Sequence, residues 1–187
     1  QESRGLGDVY KRQELTAAMP EIRMMTLLSP EKFCPQIKNC LANCGIALVF
    51  LPHLKGSFLQ GVSFIDGNKI VLGLTARGKD ADKFWFSLFH ELGHIVLGHV
   101  TGSKGASDKD EQAADQWSAN TLIPSDDFEI FRKEKDYSKD SVLRFAKEQG
   151  IAPGIVIGRM QREGMIEYTM LNQLKEKYVI AASFESS

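Results

Sequence analysis

The stretch FWFSLFHELGH, residues 84–94, decides how the rest of the chain reads. Its apolar residues Phe84, Trp85, Phe86, Leu88, Phe89 and Leu92 are continued by Ile95, Val96 and Leu97. Together they cover nearly the whole circumference of a helix predicted over about residues 80–99. A helix that is apolar almost all round belongs in a core, and polar side chains on it need partners, because a buried polar group without one is costly. The polar side chains here are His90, Glu91 and His94. At 3.6 residues per turn, positions i and i+4 lie about 40° apart on one face, so the two imidazoles converge. HExxH on a helix is an arrangement in which two histidines hold zinc and the glutamate acts as general base on a zinc-bound water. Zinc acidifies that water and polarises a carbonyl. The competing reading is a pair of core histidines bonded to backbone carbonyls.

A catalytic zinc takes three protein ligands and keeps one position open. His99 follows His94 by five residues, which turns it about 140° away on a continuous helix. A role at the helix end or behind the ligands therefore suits it better than ligation. After the polar loop TGSKGASDKD (101–110), the stretch EQAADQWSANTLIP (111–124) predicts a second helix. Glu111 and Asp115 share one face of it, a turn apart. Glu111 is the candidate third ligand. Asp115 is placed to accept the free N–H of a ligand histidine and fix its tautomer. The alternatives are a solvated Glu111 favoured by the helix dipole, and Asp108 or Asp110 as rival carboxylates. The small residues Ala113, Ala114, Ser118 and Ala119 permit close helix packing. Zn2+ is the expected cofactor, although manganese also suits a mixed histidine–carboxylate site.

Outward from this helix the pattern is α+β. Residues 14–44 predict two or three short helices, interrupted at Pro30 and Pro35. Ile46–Pro52 reads as an apolar strand. Val62–Ile65 and Lys69–Leu74 read as a hairpin around the three-residue loop Asp66-Gly67-Asn68. The expected fold is α+β, a small three-stranded sheet packed on the buried HExxH helix with a helical C-terminal part, and with its HExxH helix it resembles a gluzincin-like minimal metallopeptidase core. Residues 1–13 have no apolar periodicity, and GLGDVYKRQ looks like a non-native adaptor scar. The expected division is a tail over 1–13, a core over 14–135 and a helical, helix-turn-helix-like subdomain over 136–187 packed on it. This reading allows for a natural start upstream that carries a further domain.

The chain has 187 residues, 43% hydrophobic and 25% charged, which is ordinary for a globular protein. A net charge of −1, from 23 basic and 24 acidic residues, gives no overall attraction to nucleic acid or membrane. No apolar run approaches the ~20 residues of a membrane helix. Cys34, Cys40 and Cys44 are an odd number without CxxC spacing, which suits small core residues in a reducing cytoplasm. Residues 138–164, SKDSVLRFAKEQGIAPGIVIGRMQREG, read as helix, glycine turn, helix, a pattern shared by DNA-binding helix-turn-helices. Arg159 and Arg162 are its candidate phosphate or base contacts. The segment is only weakly basic, so DNA binding through this fragment alone is not expected. A helical hairpin walling the cleft or holding a partner protein explains the same pattern.

FHELGHIVLGH followed by EQAADQWSANTLIP resembles the ImmA/IrrE family of metallopeptidases, over about residues 14–180. GSFLQGVSFIDGNKIVLGLTARGKDADKFWFSLFHELGH and FAKEQGIAPGIVIGRMQREG resemble a subgroup that follows an N-terminal helix-turn-helix in HigA-type antitoxins and regulators. The resemblance implies that His90, His94 and Glu111 are zinc ligands, that Glu91 is the catalytic glutamate, and that Asp115 stands behind a ligand. It implies limited proteolysis inside bacterial cells, with a helix-turn-helix repressor or a toxin–antitoxin partner as protein substrate. Antitoxin-like members imply instead a regulator that binds or senses without cutting. A third reading is a structural domain with an accidental HExxH. The hairpin is expected to offer an edge strand to an extended substrate, and Tyr137 is a candidate oxyanion donor.

Overall fold

The computed structural model describes residues 11–52, 60–75, 80–100 and 105–183. Over these the chain is α+β, with seven α-helices and one three-stranded mixed sheet. Helix α1 (Arg12–Met24) buries Leu15, Met19 and Ile22, and α2 (Pro30–Asn43) buries Phe33, Ile37 and Leu41. Both stripes follow helical spacing. The break between the helices falls at a 3-10 turn over Met25–Leu27, and Pro35 sits inside α2. Pro35 removes one hydrogen bond in the second turn. Three fully buried apolar side chains on that helix outweigh the loss. Residues 12 and 13, assigned to the tail from sequence, form the start of α1, and the Lys11 N–H donates to the Cys44 carbonyl at 3.0 Å.

The strands are β1 (Ile46–Leu51), β2 (Gly61–Asp66) and β3 (Lys69–Thr75), in the order β1-β3-β2. The hairpin is tighter than expected. Asp66 pairs with Lys69, so the turn is only Gly67-Asn68, with Gly67 at φ 61°. Glycine is favoured at that first turn position because it takes positive φ without a Cβ clash. β1 pairs with β3 in parallel, which leaves β2 at an edge among the described residues.

Helix α3 (Ala81–Val96) carries the HExxH motif and is buried along nearly its whole length. It packs against β2, β3, α4 (Asp108–Leu122) and α7 (Pro153–Arg162). Its N-terminal part joins an aromatic cluster in which Phe33 lies 4.9–5.5 Å from the rings of Trp85, Tyr178 and Phe84. The Trp85 indole N–H donates to the Tyr178 hydroxyl at 2.8 Å. The segment beyond α7 returns to this helix. The Glu176 carbonyl accepts from the Ala81 N–H at 2.7 Å, which satisfies one of the free donors at the start of α3. Ser183 then bonds both backbone groups of Phe50 on β1.

Helix α5 (Ser125–Glu134) follows α4 after the turn at Pro124. Helix α6 (Lys139–Gln149) ends at Gly150, whose φ of 66° is the left-handed stop expected of a glycine there. The helix-turn-helix reading of residues 138–164 changes at this point. Residues Gly154 to Gln161 of α7 are buried, so the second helix faces the core and is not displayed for a groove. Arg159 donates to the carbonyls of Ala119 (3.0 Å) and Ile123 (2.7 Å) and to Glu163 (2.8 Å), and it is closed to phosphate. The three cysteines are unpaired and half-buried or buried, and burial pushes the Cys34 thiol up to about 11. Among the described residues, no helix is long and apolar enough to cross a membrane.

Candidate metal centre

One turn separates His90 from His94 on α3, and their Nε2 atoms stand 3.0 Å apart. Glu111 enters from the first turns of α4, with Oε2 3.1 Å from His90 Nε2 and Oε1 3.4 Å from His94 Nε2. Two local features deliver Glu111. The first is a capping box at the start of α4, where the Ser107 hydroxyl accepts from the Asp110 N–H and the Asp110 carboxylate accepts from the Ser107 N–H. The second is Gly93. A Cβ there would lie 3.1 Å from Trp117 and 3.2 Å from the Ala114 carbonyl, so the missing side chain lets α4 approach α3.

The outer nitrogens of both rings are engaged. Asp115, one turn beyond Glu111, accepts from His90 Nδ1 at 2.7 Å. An ionised carboxylate can only accept, so His90 Nδ1 carries a proton, and in the neutral imidazole that leaves the lone pair on Nε2. His94 Nδ1 faces His99 Nδ1 at 3.1 Å, and His99 Nε2 lies 3.4 Å from Asp110. A proton on His99 Nε2 toward Asp110 leaves His99 Nδ1 to accept from His94, which again directs an Nε2 lone pair inward. Burial and the neighbouring His90 lower the pKa of His94, which favours that neutral state.

His99 reaches this place through the helix end. Gly98 at φ 78° reverses the chain, the His99 N–H bonds the His94 carbonyl at 2.8 Å, and the Gly98 N–H bonds that of Ile95 at 3.1 Å. This is the Schellman closure. It brings His99 back behind His94, where an uninterrupted helix would have carried it away.

With both rings in these neutral tautomers, two imidazole lone pairs and the Glu111 carboxylate face one another. Such acceptors repel unless a cation lies among them, and this donor set fits a divalent metal. His90, His94 and Glu111 each present a ligand atom within 4.8 Å of the others.

Glu91 is buried beside the group. Its Oε2 accepts from the Ser63 hydroxyl at 2.8 Å, and Gly61 leaves room for its stem: a Cβ at 61 would stand 2.7 Å from Glu91 Cγ. Burial raises the Glu91 pKa. The Ser63 bond and His90 pull it down, and Glu111 pushes it up. Glu91, His90 and Asp115 line a cavity of about 730 Å³ whose wall also includes Phe86, Asp82, Arg162 and Lys175.

The candidates His90, Glu91, His94, Glu111 and Asp115 are therefore brought together. Asp108 stands outside the group as the first residue of α4, and Asp110 contributes through its cap and His99. Tyr137 is not at the site, because its hydroxyl donates to the Arg132 carbonyl at 3.2 Å. Ser63 and Gly61 escape a reading of the sequence, which has no local signal linking a strand residue to Glu91. The glycine after HELGHIVL is such a signal for the return of His99.

The model of the IrrE N-terminal-like domain matches residues 45–160, more than half of the chain, and the chain belongs to that peptidase family. The match runs from β1 to α7 and includes every residue of the metal group. Membership makes this a metallopeptidase-like domain and implies a metal cofactor. No curated protein matches the chain.

Proposed function

We propose that this domain is a zinc-dependent endopeptidase acting in the bacterial cytoplasm on a regulatory protein, such as a helix-turn-helix repressor or a toxin–antitoxin partner. The observation that carries the reading is the convergence of three ligand atoms, from His90, His94 and Glu111, within 4.8 Å of one another, with a buried carboxylate held beside them. Zinc held by His90, His94 and Glu111 would supply Lewis acidity for an attacking water and a peptide carbonyl. Ser63 holds one oxygen of Glu91 and leaves the other to take a proton from water. The water oxygen bonds the carbonyl carbon, the C–N bond breaks, and Glu91 returns the proton to the departing amine. β2 supports the binding of an extended chain, since it is an edge strand whose Gly61 and Ser63 lie against Glu91.

Metal content by mass spectrometry, compared across wild type, His94→Ala and Glu111→Ala, is the first test. Stoichiometric zinc that is lost in both variants supports the site. Wild type that stays metal-free after zinc reconstitution refutes it. Glu91→Gln then separates a peptidase from a regulator that only binds. We expect it to keep zinc and to lose cleavage of candidate repressors by at least about 10²-fold.

A further inference from the structure

The cavity beside the metal group has a charge pattern of its own. Lys175 bonds Asp82 at 3.0 Å and Gln161 at 2.7 Å, and Lys83 lies 3.5 Å from Asp80. Asp115 is held by His90 and Glu91 by Ser63. Two cations on the wall, Arg162 and Lys177, make no direct ion pair among the described residues, and Arg162 feels the nearby carboxylates of Asp82 and Asp115 only at longer range. The guanidinium of Arg162 lies 3.8 Å above the centre of the Phe86 ring and makes no hydrogen bond or ion pair among the described residues. Lys177 is likewise without an ion pair there. Phe86 is one helical turn before His90, with ring centres 6.4 Å apart, so Arg162 sits one turn along the cleft from the metal group. Stacking on an aromatic face fixes the plane of a guanidinium while leaving its edge N–H groups free, and that edge matches a carboxylate bidentately.

We propose that Arg162 is a specificity-determining residue that receives a carboxylate of the bound peptide, from an acidic side chain or from a chain terminus, one step along the cleft from the scissile bond. The assignment rests on the peptidase reading for its place in a reaction. The binding event itself does not depend on turnover.

The test uses the full chain loaded with zinc and carrying Glu91→Gln, so that no cleavage intervenes. Fluorescein-labelled hexapeptides of alanine and leucine are titrated by polarisation in matched pairs. One pair has Glu or Gln at an internal position of a C-terminal amide. The other has a free C-terminal acid or its amide, with no acidic side chain. At least one carboxylate-bearing member should bind about tenfold more tightly than its neutral partner, and which pair responds identifies the source of the carboxylate. Adding Arg162→Gln should abolish the difference, Arg162→Lys should retain part of it, and added salt should shrink it. A preference that survives Arg162→Gln belongs to the metal and overturns the proposal, as does equal binding within both pairs. Thermal melting of each variant reports folding separately. If wild type cleaves no peptide yet the preference tracks Arg162, the peptidase reading fails and the subsite stands. Cleavage with no such preference overturns the subsite and leaves the peptidase reading in place.

Discussion

Gly61 and Glu91 occupy the same space by division of labour, since a Cβ at 61 would come within 2.8 Å of Glu91 Oε1. Gly61→Ala should push the carboxylate off Ser63 without touching a ligand. Turnover is expected to fall about tenfold or more, with zinc content unchanged, when kcat and metal stoichiometry are measured together. Asp115→Asn should act oppositely. It weakens the partner that fixes His90, and zinc affinity by chelator competition should drop about 10–100-fold. His90, Glu91 and His94 are legible in the sequence because four-residue spacing on a helix is a local rule. Glu111 and Asp115 are legible for the same reason, one helix later. Ser63 is not, because it meets Glu91 only through the packing of β2 on α3, 28 residues away in the chain.

At the scale of elements, the existence of the helices and strands follows from apolar periodicity, and the differences arise where tertiary burial overrules local chemistry. Pro35 stays helical because Phe33, Ile37 and Leu41 are buried around it. The 138–164 hairpin has the local pattern of a DNA reader, but its second helix faces α3, and periodicity alone does not say what an apolar face covers. Helix α4 shows how an end of an element acts on the site. Ser107→Ala removes the cap that starts the helix carrying Glu111, and should cost about 1 kcal/mol of stability. The same change should weaken zinc binding, read by unfolding with and without metal. A cap irrelevant to the site would lower both stabilities equally.

For the molecule as a whole, the segment after α7 closes the structure, and no motif announces it. Tyr178 is almost fully buried and accepts the Trp85 N–H. Tyr178→Phe leaves that donor unpaired, at an expected cost of about 1–3 kcal/mol in urea unfolding. Burial also pushes the Tyr178 hydroxyl up to about 12. The unfolded phenol ionises near pH ~10, so the folded state binds this proton more tightly. The contribution is therefore complete below pH ~10 and is lost as pH rises toward about 12. Unfolding midpoints of wild type should fall more steeply across that window than those of Tyr178→Phe, and parallel profiles would show that the hydroxyl is not sealed in the fold.

Gly93 makes the gap between two helices a gauge for ion size. With Trp117 and Ala114 only 3.1–3.3 Å from where its side chain would begin, a Cβ there should pry α4 outward by a few tenths of an ångström and carry Glu111 with it, and a further heavy atom should add to the shift. Zinc bonds its nitrogen and oxygen ligands at about 2.0–2.2 Å, and manganese, a larger divalent ion that also suits a mixed histidine–carboxylate site, takes longer bonds. A series of Gly93→Ala and Gly93→Ser should thus relax the preference for the smaller ion before it abolishes binding. In this way a residue that ligates nothing would set the radius at which the centre selects its metal.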